Sequence, residues 1–181
     1  MKRGCQDVWW LGLREVAWVL PSASGTMTVV QINPDDDAAM VLALKEATKC
    51  LATGDVPVGA VVIRKGVVVG AGRNEREHLD DPTAHAELRA LQAAAVHLGR
   101  WRLDDCTLVV TLEPCLMCAG ATMLARIPRL VLGAWDRKAG ACGSVWDVVR
   151  DARSNHRVEV IGDVRADECS ALLREFFADC R

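Results

Sequence analysis

The sequence predicts an α/β domain in which helices cover both faces of a sheet. Short apolar runs typical of strands alternate along the chain with longer runs in which apolar residues recur every three or four positions, as they do in helices. Because strands and helices alternate, the helices are expected on both faces of the sheet. The 181 residues, of which 51% are hydrophobic and 25% charged, suffice for one domain with a substantial core.

The first helix is expected to be capped by residues 35–37, all aspartate, and to end before Gly54. Its apolar face consists of Met40, Leu44, Ala47 and Leu51. The other elements follow in order: a β-hairpin of 58–63 and 67–71, a helix 85–98 ended by Gly99, a strand 107–111, a helix at Cys115, strands 130–134 and 158–161, and a helix 167–180.

His85 and Glu87 lie at the start of one predicted helix, and Cys115 and Cys118 follow Pro114 at the start of another. One histidine and two cysteines give the three protein ligands of a catalytic zinc site, which keeps its fourth position for water. With Pro114 expected at the first helical position, both thiols should face the same way. Residues two apart on a helix point roughly 200° apart, so His85 and Glu87 cannot both lie on one side face of the helix. The helix must therefore present its N-terminal end to the metal. Glu87 is then available to carry protons.

These residues have other interpretations. The C-x-x-C pair alone could be a redox pair or half of a zinc ribbon, although the sequence has no second such pair to complete a ribbon. Glu87 alone could complement the positive end of the helix dipole. His78 and His97 are interpreted as exposed residues rather than as ligands.

The combination of H-x-E with P-C-x-x-C is the signature of zinc nucleobase deaminases. Beyond that signature, the chain resembles bacterial tRNA-specific adenosine deaminases from about Asp36 to Phe177. The motifs that carry the resemblance are 55–60 (DVPVGA), 72–74 (GRN), 81–87 (DPTAHAE), 111–115 (TLEPC), 117–121 (MCAGA), 155–159 (NHRVE) and 166–169 (ADEC). The resemblance implies a cytidine-deaminase-like three-layer α/β/α fold with a five-stranded mixed sheet, one Zn²⁺ per subunit and a homodimer.

The same resemblance implies hydrolytic deamination of adenosine to inosine at the wobble position of a tRNA, with the anticodon stem-loop as partner. Glu87 would take a proton from water and pass protons to ring N1 and to the leaving amine, because a carboxylate can act first as base and then as acid. Glu113 is left out of the catalytic set, because its side chain could be structural and the backbone near it is the expected substrate contact. The alternatives are a deaminase of a free base or nucleotide, of the guanine or cytosine type, and a zinc-stabilised subunit without catalysis. Glu87 argues against the last.

The resemblance also implies four substrate-binding residues: Asn74, Asp136, Lys138 and Phe177. Asn74 matches a residue that hydrogen-bonds the nucleotide, and it also suits a turn after Gly72. Asp136 and Lys138 belong to a segment that resembles an RNA-contacting loop, for which a solvated charged turn is the alternative. In the pair formed by Phe177 and its neighbour, one ring is expected in the core and the other could stack on a base.

Residues 1–34 differ in composition from the rest of the chain, since they hold three of the six tryptophans and a break at 21–25 (PSASG). They are expected to be a poorly ordered N-terminal extension: either a translated upstream leader, with Met27 as the true start, or a private addition to the zinc deaminase domain of residues 35–181. A membrane-surface role is a further alternative. A signal peptide is disfavoured, because Arg14 and Glu15 interrupt the apolar stretch.

Composition limits the partners and the compartment. A net charge of −2 provides no general attraction to a polyanion, so RNA binding requires a local basic patch. The eight cysteines, in a chain with a metal signature, indicate a reducing cytoplasm with two thiolates on zinc rather than a disulfide framework. The sequence contains no run of 18 apolar residues, so no membrane span is expected.

Overall fold

The computed structural model describes residues 34–179. Along this part of the chain the elements are α1 (Pro34–Lys49), a 3₁₀ turn (Cys50–Ala52), β1 (Gly59–Arg64), β2 (Val67–Arg73), α2 (Arg76–Leu79), α3 (Ala86–Leu98), β3 (Thr107–Leu112), α4 (Leu116–Leu124), β4 (Arg129–Ala134), β5 (Glu159–Ile161) and α5 (Ala166–Asp179).

The five strands form one mixed sheet in the order β2-β1-β3-β4-β5. β1 is antiparallel to β2 and to β3, whereas β4 is parallel to β3 and to β5. It follows that β2, β3 and β4 all run in one direction, so the segments that leave their C-terminal ends meet at the same end of the sheet. This topology confirms the predicted five-stranded mixed sheet.

The two faces of the sheet are covered by different helices, because successive residues of a strand point to opposite sides. Leu108 and Val110 of β3 pack with α3 and α4, whereas Val109 packs with α1 and α5. Typical helix residues in these two core layers are Ala90 and Ala119 on one face, and Met40 and Cys169 on the other. The predicted three-layer α/β/α arrangement is therefore confirmed.

Glycines in β2 let α3 lie against the strand backbone. A Cβ added at Gly70 would overlap the carbonyl oxygen of Ala90, and one added at Gly72 would lie 2.5 Å from the carbonyl oxygen of Ala86. Both positions therefore require the absence of a side chain. The helix side of the contact consists of Ala86, Ala90, Ala94 and the Cβ of Arg89, so the two backbones approach closely and the N-terminus of α3 has a defined position.

Several local predictions were wrong in detail. The first helix ends at Lys49 and tightens into the 3₁₀ turn, which leaves Leu51 half-exposed instead of on the apolar face. The aspartates at its start also reach beyond their own helix: Asp36 forms a bidentate pair with Arg129 at 2.6 and 2.7 Å, and Asp37 pairs with Arg165 at 2.8 Å. The short α2 was not predicted.

The expectation that residues 1–34 form a separate extension falls almost entirely outside the described residues and stays a prediction. Within residues 34–179, no helix is both long enough and apolar enough to cross a lipid bilayer.

Candidate active site

Two helix N-termini form the site at the end of the sheet where β2 and β3 finish. His85 is the N-cap of α3, with φ −77° and ψ 151°, and Cys115 is the N-cap of α4, with φ −71° and ψ 175°. The predicted helix starts at His85 and Pro114 were thus one and two residues early. Pro114 instead stays outside the helix, where its carbonyl oxygen accepts a hydrogen bond from the Ala141 N–H at 2.9 Å.

The loop before α3 is held by hydrogen bonds of the 81–87 motif. Asp81 Oδ1 accepts from the N–H of Thr83 at 2.8 Å and from its hydroxyl at 2.7 Å. The N–H of His85 donates to the Thr83 carbonyl at 2.7 Å, and the Ala84 carbonyl accepts from the Glu75 N–H at 2.9 Å. Short polar side chains of this kind stabilise tight turns, and here they fix the backbone of His85.

The three predicted metal ligands lie together. His85 Nδ1 is 3.8 Å from Cys115 Sγ and 3.6 Å from Cys118 Sγ, and all three donor atoms lie within 4.8 Å of one another. Ligands bound to tetrahedral zinc at about 2.0 to 2.3 Å are separated by roughly 3.4 to 3.8 Å. The measured separations fit a zinc ion with three protein ligands, and the donor types are those that zinc prefers.

The electrostatics of the two thiols also suit a cation. The neighbouring Cys118 sulfur, together with the His85 imidazole, lowers the pKa of Cys115 to about 3. The pKa of Cys118 is raised, because it shares its hydrogen with Cys115 and is buried. Cys115, whose pKa is lowered, lies at a helix N-terminus, where the backbone N–H groups stabilise a thiolate.

Glu87 is buried beside these ligands, with 4% of its surface exposed. Burial raises the pKa of its carboxyl to about 7, against the opposing charge of His85. A carboxyl with a pKa near neutrality can give and accept protons at cellular pH. The structure thus brings Glu87 to the ligand cluster in an environment that favours proton exchange.

Asn74 follows β2 at the same end of the sheet and is 7% exposed. Its side-chain Nδ2 donates to the Val56 carbonyl at 3.1 Å, and its backbone N–H donates to Val58 at 2.9 Å. These contacts tie the end of β2 to the residues before β1 and are not those of a local turn. The role of Asn74 toward a nucleotide stays a prediction.

Asp136 and Lys138 lie in the loop 136–144, which follows β4. Asp136 Oδ1 accepts from the backbone N–H groups of Lys138 at 2.9 Å and Ala139 at 3.3 Å, so this carboxylate shapes its own turn. The side chain of Lys138 is exposed. Of the two predicted RNA contacts, Lys138 is thus presented to solvent while Asp136 also has a structural role.

The carboxylate of Glu113 holds the same loop, which agrees with the structural role considered for it from the sequence, although the sequence did not indicate its partners. It is 2% exposed and accepts hydrogen bonds from the N–H groups of Asp136, Cys142 and Ser144. These partners lie 23 to 31 residues away in sequence. The only signal was a charged residue two positions after the predicted strand 107–111.

Trp135 precedes this loop and packs over Gly162, while its Nε1 donates to Asp163 at 2.9 Å.

Phe177 lies on α5 in an edge-to-face contact with Phe176, with ring centroids 5.3 Å apart. The role of Phe177 toward a substrate base stays a prediction.

Sequence comparisons identify the relatives of this chain. The family described as MafB19-like deaminase matches residues 34–181. A tRNA-specific adenosine deaminase from Streptococcus pyogenes serotype M18 is 43% identical over 139 residues, which are 77% of this chain and 87% of that protein. A tRNA(Ile)-lysidine synthase from Deinococcus radiodurans is 46% identical over 176 residues, which are 96% of this chain but 29% of that longer protein. The latter similarity reaches into the residues before Pro34.

Solved structures agree with these relatives. A structure from a study of A-to-I editing by tRNA:A34 deaminases at the wobble position of transfer RNA has a TM-score of 0.72 at 39% identity, and covers 75% of this chain and 99% of the other. A guanine deaminase from Nitrosomonas europaea has a TM-score of 0.67 at 28% identity, and covers 82% of this chain and 87% of the other. Since sequence, fold and site geometry point the same way, the chain is a deaminase and belongs to the family of tRNA-specific adenosine deaminases.

Proposed function

We propose that this protein is a zinc-dependent deaminase that converts adenosine to inosine at the wobble position of a tRNA anticodon. The observation that carries the proposal is the convergence of three zinc-type donor atoms with a buried carboxyl at two helix N-termini. His85, Cys115 and Cys118 would hold the ion. When bound, zinc supplies a Lewis acid that makes water nucleophilic near neutral pH.

Glu87 moves the protons of the proposed reaction. It accepts one from the attacking water, delivers it to N1 of the adenine ring, and passes a second to the departing amine, so that water and adenosine give inosine and ammonia. Burial favours this cycle, because a carboxyl whose pKa is about 7 is populated in both protonation states at cellular pH.

Adenosine in an anticodon loop is the substrate that the relatives support. Bases in such a loop are already unpaired, so little unstacking energy is needed to place one beside the metal ligands. Asn74 lies at the same end of the sheet and would hydrogen-bond the nucleotide, and the exposed Lys138 would contact phosphate. Phe177 would stack on a neighbouring base.

A guanine deaminase is the second candidate, because one superposes over 82% of this chain with a TM-score of 0.67. The zinc ligands and the proton carrier serve either base. The higher identity of the tRNA-specific relative, 43% over 139 residues, favours the tRNA substrate.

A homodimer is also proposed, through the outer face of α4. Leu116 and Leu124 are 51% and 74% exposed, and a Cβ added at Gly120 would meet no atom within 4 Å. The three residues lie four apart and so form one stripe on the helix. An apolar stripe of this kind indicates an interaction surface, and a second copy of the chain is its proposed occupant.

The zinc assignment predicts the metal content of single variants. Purified protein should contain one zinc per chain, whereas Cys115→Ser should lose most of it and unfold at a lower temperature, because binding stabilises the folded state. Elemental analysis and thermal melting measure both effects. Cys106→Ser is the matched control, since Cys106 is a buried cysteine outside the cluster. Full zinc content in Cys115→Ser would refute the assignment.

The proposed proton transfer predicts that Glu87→Gln keeps its fold and zinc while kcat falls by a factor on the order of 10² or more, because the amide cannot exchange protons. Single-turnover deamination of a stem-loop by zinc-loaded protein measures the loss. Glu46→Gln, on α1, should retain full activity. Substantial activity in Glu87→Gln would show that another group carries the protons.

The substrate assignment predicts ammonia release from an adenosine-bearing anticodon stem-loop, with inosine at the wobble position. Free adenine, guanine and cytidine at the same concentration should react far more slowly. A stem-loop with guanosine at the wobble position is the control for site selection. The KM for RNA should rise with salt, because phosphate contacts release counterions. Rapid turnover of guanine with an untouched stem-loop would establish the second candidate instead.

The dimer proposal predicts that the protein sediments as a dimer and that Leu124→Glu shifts it to monomer, because a charge would be buried in the interface. Val96→Glu is the matched control, since Val96 on α3 is 83% exposed and lies outside the stripe. Sedimentation velocity distinguishes the species. A monomeric parent protein, or equal behaviour of the two variants, would contradict this surface.

A further inference from the structure

Glu113 is a buried carboxylate that is neutralised by backbone N–H groups rather than by a cation. Its Oε1 accepts from Cys142 at 2.9 Å and from Ser144 at 3.1 Å, and its Oε2 accepts from Asp136 at 3.0 Å. Within residues 34–179, no lysine, arginine or histidine side chain pairs with it. A desolvated charge persists only when it is well hydrogen-bonded, and N–H bonds to a carboxylate are among the stronger ones.

The three donors lie at the two ends of the loop 136–144. Asp136 begins this loop, while Cys142 and Ser144 end it, so one carboxylate ties its beginning to its end. The packing is tight at Gly140, where an added Cβ would overlap Glu113 Oε2 and Ser144 Oγ. Ser144 Oγ also donates to the Asp136 carbonyl at 2.7 Å.

The same loop borders the candidate metal centre. Gly140 forms a β-bridge with Cys115, and the Ala141 N–H donates to the Pro114 carbonyl at 2.9 Å. Glu113 stands two residues before Cys115 in the chain. A shift of its carboxylate would therefore change how the loop sits relative to a metal ligand.

We propose that Glu113 is a positioning residue, which sets the loop 136–144 against Cys115 so that the loop can receive the substrate. Its hold on the loop follows from the contacts alone, whereas its effect on the substrate rests on the proposed function, in which Lys138 of this loop contacts RNA. Glu113 touches neither the metal ligands nor the reacting base in this role. Its influence is expected in KM more than in kcat.

The first experiment measures amide hydrogen exchange without substrate in Glu113→Gln. The amide N–H groups of Asp136, Cys142 and Ser144 should exchange at least about tenfold faster than in the parent protein, because the glutamine side chain loses the charge and turns an N–H₂ toward donors. Asp36→Asn is the matched control: it removes another buried carboxylate, which pairs with Arg129 at the opposite end of β4 from this loop. Asp36→Asn should leave the exchange rates of these three amides unchanged.

The second experiment measures stem-loop deamination by the same zinc-loaded variants at a temperature where each is folded. Glu113→Gln should keep its zinc and raise KM on the order of tenfold, with kcat changed much less. Gly140→Ala should produce the same shift, because its Cβ displaces the same carboxylate. The double variant should be little worse than either single variant, since both remove one interaction. Glu113→Asp keeps the charge, so its KM should lie between those of the parent protein and Glu113→Gln.

Unchanged exchange of the three amides in Glu113→Gln would overturn the proposal at its first step. Loss of zinc in parallel with activity, or a KM equal to that of the parent protein, would overturn the positioning role. A parent protein that does not deaminate the stem-loop would instead refute the proposed function, and the exchange experiment would still decide whether Glu113 holds the loop.

Discussion

The close approach of α3 to β2 is the constraint on which the candidate site depends. Gly70 and Gly72 leave room for the backbone of α3, and a side chain at either position would collide with it. The position of α3 fixes His85, whose Nδ1 would have to share one metal ion with the sulfurs of Cys115 and Cys118 at the start of α4. Metal sites tolerate errors of only about 0.2 Å in ligand distance. The absence of a side chain at Gly70 and Gly72 is therefore required for the three donor atoms to lie close enough to share one ion.

The mixed sheet brings the remaining functional segments to the same place. Because β2, β3 and β4 run in the same direction, Asn74, Cys115 and Asp136 follow strands that end together. The crevice beyond the C-terminal ends of such strands is the usual ligand site of α/β proteins. Residues that are far apart in sequence are therefore placed at the same end of the sheet, and each follows a strand of that sheet.

Much of this arrangement could be predicted from the sequence, because its signals are local. The spacing of apolar residues predicted the strands and four of the helices. The spacing of His85, Cys115 and Cys118 predicted the cluster of donor atoms. The failures have physical reasons. Leu51 was placed on an apolar face because an α-helical period was extended through a 3₁₀ turn. His85 and Cys115 are N-caps because extended φ and ψ angles precede each helix, which residue identity did not reveal. The partners of Glu113 lie across the sheet in another loop, and no local pattern connects them.

Glu87 and Glu113 show how one type of side chain acquires two roles in a single site. Both are buried within a short distance of the ligand cysteines, and the charges of both act on Cys142, whose pKa burial raises well above its ordinary value. Both oxygens of Glu113 accept hydrogen bonds from three backbone N–H groups, so this side chain shapes a loop. Desolvation is the main cause of the raised pKa of Glu87. It makes the charged form costly and the proton exchangeable. Partners, rather than residue type, therefore separate the carboxylate that holds the loop from the carboxyl that is proposed to move protons.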